Sequence, residues 1–196
     1  MQSFFSLIDY LNKAPPEERP LVEKIIWSTY GVEKAIMTLD MSNFSLSVRR
    51  SGILHYLGMI RHMEVLSCPI VLEHGGEVIK YVADNLMAVF PGTREAIAAA
   101  VHINQALRSE PVPADADPFA VSIGIDYGRF ILLSGQDCYG DPVNVAYKLG
   151  EDLARPGEIL ISPGAREQLG AACDFPLQEQ SVSISGLELV AYGVQY

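Results

Sequence analysis

Gly75-Gly76-Glu77-Val78-Ile79-Lys80-Tyr81-Val82-Ala83-Asp84-Asn85-Leu86-Met87-Ala88-Val89-Phe90 sets the reading of the whole chain. Two short runs rich in Val, Ile and aromatic residues flank Ala83-Asp84-Asn85. This pattern predicts a β-hairpin turning at Asp84-Asn85, where short polar side chains tolerate turn geometry. A glycine pair opens the hairpin and Pro91-Gly92 closes it. Strand alternation sends Lys80, Val82 and Asp84 the same way. A second carboxylate, Asp40, ends the apolar run Ala35-Ile36-Met37-Thr38-Leu39, which reads as another strand.

Outward from these two stretches, residues 2–12 and 20–30 carry Phe4, Phe5, Ile8, Leu11, and then Leu21, Val22, Ile25, Ile26 and Tyr30, at helical spacing. Residues 48–67 predict a long helix halted by Pro69, with Ile70-Val71-Leu72 as a separate apolar segment. The alanine-rich run from Thr93 to Leu107 is helical, with His102 packed or half-exposed within it. Residues 109–118 form a loop rich in proline and acid. Phe119 to Leu133 predicts a second hairpin, turning at Gly128-Arg129. A turn at Asp137-Cys138-Tyr139-Gly140 precedes a helix from Asp141 to Ala154. A short strand at Glu158–Ile161, a helix near Pro163–Leu169 and a strand pair around Ser185-Gly186 complete the chain. Two hairpins among irregularly alternating helices and strands predict an α+β sandwich rather than a doubly wound parallel sheet.

Composition narrows the function classes. With 196 residues the chain holds one domain with a full core. A net charge of −10 opposes nonspecific binding to nucleic acid or anionic membrane, which needs basic patches. No apolar run approaches the roughly 20 residues of a membrane span. Neither a signal peptide nor a repeat is visible. Cys68, Cys138 and Cys173 are odd in number, widely spaced and without metal-ligand pattern, which suits a reducing cytoplasm.

Asp40 and Asp84, both at strand ends, offer hard oxygen donors of the kind Mg²⁺ and Mn²⁺ prefer. Backbone N–H groups and hydroxyls of Met41-Ser42-Asn43-Phe44-Ser45 could cradle phosphates. The plain alternative is a pair of aspartates capping turns.

Four ordered blocks between Ala35 and Ile161 resemble the catalytic domain of the class III nucleotide cyclases, which make cyclic AMP or cyclic GMP. They are Asp40-Met41-Ser42-Asn43-Phe44-Ser45, then His74-Gly75-Gly76 with Lys80, Ala83-Asp84 and Met87-Ala88-Val89-Phe90, then Gly124-Ile125-Asp126-Tyr127-Gly128, then Gly140-Asp141-Pro142-Val143-Asn144-Val145-Ala146-Tyr147-Lys148-Leu149. The resemblance implies a ferredoxin-like α/β sandwich with a mostly antiparallel sheet. It places the catalytic domain over residues 34–196, after a helical extension over residues 1–33.

It also implies two metal ions per site on Asp40 and Asp84, with Met41 in the metal set, and a phosphate cradle from Ser42, Asn43, Phe44 and Ser45. Catalytic domains of this family pair head to tail, so a homodimer is expected. Asp40 and Asp84 of one copy then face Lys80, Asp137, Asn144 and Lys148 of the other. Lys80 and Asp137 match the family's adenine-reading donor and acceptor, which implies ATP as substrate and adenylate cyclase as the activity. Asn144 matches the ribose-orienting position and Lys148 the phosphate-binding one, where arginine is usual. Asn43 and Ala83 replace the usual glycines, and Ser122 and Val190 stand where phosphate-binding cations are frequent. These departures leave room for a nucleotide-binding regulatory module, or for a cyclase acting on GTP or a pyrimidine nucleotide.

Overall fold

The structure is a computed structural model and describes residues 3–41, 52–109, 120–170, 174–184 and 187–196. Helices α1 (Phe4–Lys13) and α2 (Arg19–Tyr30) lead into strand β1 (Gly31–Met41). Helix α3 (Ile53–Glu73), strands β2 (Glu77–Val82) and β3 (Asn85–Phe90), and helix α4 (Thr93–Ser109) follow. Next come strand β4 (Val121–Leu133), the short strand β5 (Asp137–Tyr139) and helix α5 (Asp141–Tyr147), continued by a π-helical turn at Lys148–Leu153. Strand β6 (Ile159–Ile161), helix α6 (Pro163–Leu169) and strands β7 (Leu177–Ile184) and β8 (Leu187–Val194) finish the chain.

Eight strands make one sheet in the order β2-β3-β1-β4-β6-β8-β7, with β5 paired to β4. Among the described pairings only β4–β6 is parallel. Odd-numbered β1 residues Ala35, Met37, Leu39 and Met41 pack into the main core with α3, α4 and α6. Even-numbered Ile36 faces the opposite side, with Val143 and Ala146 of α5. This is the period-2 alternation of a strand buried on both faces. A third cluster joins Leu7, Val22 and Ile26 of the N-terminal helices to Ile131 and Leu133 of β4. The α+β sandwich expected from the sequence is the fold observed.

Four local expectations need correction. Pro69 lies inside α3, so Ile70-Val71-Leu72 is helical and not a separate segment. A proline in a helix interior costs about 3 kcal/mol, and burial of Ile70 and Val71 in the main core offsets it. The second hairpin does not exist, because β4 runs unbroken through Gly128-Arg129. Gly128 serves close packing instead: a Cβ there would stand 2.9 Å from Cγ of Pro142. The central hairpin turns at Ala83-Asp84, one residue earlier than expected, and Asn85 already belongs to β3. Asp84 therefore lies beyond the pleat, and the turn rather than strand alternation aims its side chain. The Ser185-Gly186 turn, residues 110–119 and Cys173 lie outside the described residues.

The double glycine that opens the central hairpin has two separate uses. Gly75 takes φ +73°, a left-handed conformation that suits glycine. Gly76 lets the chain pass Phe90, whose ring would lie 2.5 Å from any Cβ. His74 caps α3, and its Nε2 lies 3.3 Å from His102 Nδ1 on α4.

Candidate functional site

The central hairpin and the end of β1 build an acidic corner. Asp40 pairs with Asn85 across β1–β3, so Asp84 in the turn is one residue away from that register. Ala83, which precedes it, holds φ +52°, a left-handed backbone for a residue with a Cβ. Asp40's carboxyl is pushed up to about 7, by burial first, then by the negative charges of Asp84 and Glu151, against an opposing hydrogen bond from the Met41 N–H. Tyr56, 1% exposed at the start of α3, has its phenol raised by burial and by hydrogen bonding to Asp84. Like charges held together in a half-buried corner favour a neutralising cation or a proton.

Two hard carboxylates suit Mg²⁺ or Mn²⁺, which take one or two protein carboxylates and fill their remaining positions with water and substrate phosphate. No group of three or more His, Cys, Asp or Glu side chains that could hold a metal ion occurs among the described residues. Met41 buries its side chain in the main core, so only its backbone carbonyl is suited to such a site. Ser42, Asn43, Phe44 and Ser45 lie outside the described residues.

On the same hairpin, Lys80 faces a different partner. The β2–β3 register shifts between Val78 and Lys80. Val78 packs with the main core and Ile79 with the opposite cluster. Lys80 then follows on the side of β5, where its Nζ donates to Asp137 Oδ1 at 2.7 Å. A bulge of this kind re-aims a side chain that strict alternation would send elsewhere. Burial would raise the Asp137 carboxyl, but hydrogen bonds from Lys80 Nζ and Cys138 N outweigh it and hold the group below the ordinary carboxylate range. The structure thus joins Lys80 to Asp137, and Ser134 Oγ donates to Glu77 at the base of the same strand.

Asn144 and Lys148 line one cleft of about 550 Å³ together with Asp141, Tyr147 and Glu151. Helical spacing puts them on one face. The helix that carries them lies close against the sheet because Gly124 and Gly150 meet: a Cβ on Gly124 would stand 2.4 Å from Gly150 N. Thr38 Oγ1 donates to the Ala146 carbonyl at 2.9 Å and pins the same helix to β1. Both glycines of the Gly124–Gly128 block therefore serve close approach to α5 and its π-helical extension. Among the described residues Lys148 is also the only cation lining a second groove of about 390 Å³, where Asp126, Asp141 and Val190 are neighbours. Ser122 is buried and pairs with Asp40 across β1–β4.

Sequence reasoning missed Tyr56 and Glu151. Tyr56 sits in an apolar helical run and gives no signal as a polar neighbour of Asp84. Glu151 has its carboxyl raised by burial, then by Asp152 and Asp84. Its one signal was helical spacing, three residues after Lys148.

No family model matches the chain. A Rhizobium meliloti (strain 1021) protein provisionally named adenylate cyclase 3 is 33% identical over 144 residues, which is 72% of this chain and 24% of that one. The chain spans about a quarter to a third of the length of the curated relatives it matches. The adenylate/guanylate cyclase/hydrolase from Silicibacter pomeroyi superposes with a TM-score of 0.71 at 25% identity, over 84% of this chain and 96% of that one. The catalytic core of a rhodopsin-guanylyl cyclase with converted specificity, in complex with ATPalphaS, superposes with a TM-score of 0.73 at 18% identity, over 84% and 98% of the two chains. Among the described residues no helix is long and apolar enough to cross a membrane. The ordered motif blocks, the sheet that carries them and these likenesses together make this chain a member of the class III nucleotide cyclase family.

Proposed function

We propose that this chain is an adenylate cyclase that converts ATP to 3′,5′-cyclic AMP and pyrophosphate. The observation that carries the proposal is that the central hairpin contributes to two different tools: Asp84 in its turn joins Asp40 of β1 in a carboxylate corner, and Lys80 of β2 meets Asp137 of β5 as a donor–acceptor pair. Lys80 offers N–H donors to adenine N1, and Asp137 accepts from the 6-amino group. Guanine presents the reverse polarity at both positions, and leaving buried partners unmatched is costly.

In the reaction the ribose 3′-oxygen bonds to the α-phosphorus, the bond to the β-phosphate oxygen breaks, and the hydroxyl proton leaves to solvent. Asp40 and Asp84 would hold a divalent cation, which would supply the positive charge that acidifies the 3′-hydroxyl and offsets the triphosphate. Asp40 and Asp84 hold that charge in place. Asn144 orients the ribose, and Lys148 offsets charge that develops at the α-phosphate. Lysine keeps the charge of an arginine but loses its bidentate fork. Two copies of the chain complete each site, with Asp40 and Asp84 from one and Lys80, Asp137, Asn144 and Lys148 from the other. Ile53, Leu54 and Leu57, all exposed at the start of α3, offer apolar surface for such pairing.

A second reading, a nucleotide-binding module with weak turnover, draws on Val190: it leaves Lys148 as the lone cation of its groove among the described residues. Incubation with ATP, GTP, CTP and UTP plus Mg²⁺ or Mn²⁺, with product identification, separates the two. The proposal expects cyclic AMP and pyrophosphate from ATP. Nucleotide binding without cyclisation of any substrate would transfer the case to the second reading.

A further inference from the structure

The base-reading pair has a neighbour outside the four motif blocks. Strand β5, which carries Asp137, is three residues long and, among the described residues, pairs only with β4. Its place therefore depends on what packs against it. Cys138 anchors one face in the cluster with Phe130 and Val143. On the other face Asp137 and Tyr139 lie together, since strand residues two apart share a side. Burial and the neighbouring Asp137 carboxylate raise the Tyr139 phenol.

The Tyr139 ring is in turn stacked on Phe4 of α1, with centroids 5.9 Å apart and planes 8° from parallel. Phe4 also meets Tyr30 edge-to-face at 5.2 Å, at the end of α2. It is wedged between the end of the N-terminal helical pair and the strand that presents Asp137. Leu7 of the same helix is buried with Ile131 and Leu133, the β4 residues at this end of the strand. Phe4 thus stacks on Tyr139, which shares the three-residue strand β5 with Asp137, and Asp137 in turn meets Lys80.

We propose that Phe4 is a positioning residue for purine recognition: its stack on Tyr139 holds β5 where Asp137 meets Lys80, so that α1 sets how well the pocket discriminates adenine from guanine. The proposal rests on the reading of Lys80 and Asp137 as the base-reading pair. Phe4 is assigned no direct role at the nucleotide. Its effect passes through β5, and α1 becomes a lever through which anything bound to the N-terminal helices alters substrate choice.

Two readouts on the 196-residue chain test this without requiring turnover. Carbon-13 NMR of aspartate carboxyls, with the Asp137 signal assigned by Asp137→Asn, reports the Lys80 contact. Calorimetric titration with ATP and with GTP in the presence of Mg²⁺ reports the affinity ratio. Phe4→Leu keeps apolar volume but removes the stack, and Phe4→Tyr keeps the stack. Leu21→Ala alters an exposed α2 position as a control.

Phe4→Leu should move the Asp137 titration up toward the ordinary carboxylate range and cut the ATP/GTP affinity ratio about fivefold, the equivalent of one weakened hydrogen bond. Phe4→Tyr and Leu21→Ala should match the wild type in both. An unchanged titration in a folded Phe4→Leu protein overturns the proposal. So does a shifted titration with an unchanged affinity ratio, provided Lys80→Glu does change that ratio. If Lys80→Glu leaves the ratio unchanged too, the reading of the base pair fails, and the specificity claim built on it falls as well.

Discussion

Lys80 and Asp137, 57 residues apart in sequence, meet at 2.7 Å across the gap between β2 and β5. Both side chains are partly exposed, at 29% and 28%. A pair in that setting contributes about 0–1 kcal/mol to folding. Its replacement should therefore leave the fold intact and act on recognition. Lys80→Glu combined with Asp137→Cys should lower the preference for ATP over GTP by roughly 5- to 150-fold for each hydrogen bond mismatched, the equivalent of about 1–3 kcal/mol per bond. Steady-state kinetics with both nucleotides, beside a melting curve, measure this. An unchanged ATP/GTP ratio would show that these residues do not read the base.

The acidic corner predicts an unusual pH response. Asp40's folded pKa of about 7 lies above the value of about 3.9 expected in the unfolded chain. The protonated carboxyl therefore favours folding; that contribution is complete below about pH 4 and is lost as pH rises through 7. Metal-free wild-type protein should gain thermal stability between pH 8 and pH 6 relative to Asp40→Asn. Saturating Mn²⁺ should stabilise the wild type at pH 8 more than it stabilises the variant. Scanning fluorimetry across this range checks both, and parallel pH profiles would count against the like-charge corner.

Ala83 carries strain next to a candidate metal ligand. A left-handed backbone costs an L-residue about 1–2 kcal/mol, and glycine gives part of that back as unfolded-state entropy. Ala83→Gly should raise stability by roughly 1 kcal/mol, about 2–4 °C in Tm for a chain of this size. A lower Tm would mean that the Ala83 side chain contributes packing that outweighs the strain.

The compact apolar run of β1 and the alanine-rich run of α4 were legible because each reports a local preference. Gly128 and Pro69 misled for one shared reason. Both are local breaker signals overruled by partners distant in sequence, Pro142 against Gly128 and the main core beneath Ile70 and Val71. The bulge before Lys80 left no trace in an apolar run. Asp40, Asp84, Lys80, Asp137, Asn144 and Lys148 were singled out as candidates by the ordered motifs. Tyr56 and Glu151 were not, because their proximity to Asp84 exists only after α3 and the π-helical turn have packed.

The central claim is that Asp40 and Lys148 act at one cyclising site completed by two copies of the chain. Asp40→Ala and Lys148→Ala should each be inactive alone. Random pairing in an equal mixture makes about half of the dimers mixed, each with one intact site, and so returns about a quarter of wild-type turnover. Cyclic AMP production by the mixture, measured beside each variant alone, is the most direct measurement. Recovery toward that fraction is the predicted result. No gain over the separate variants, with mixed dimers shown to form, would contradict the account.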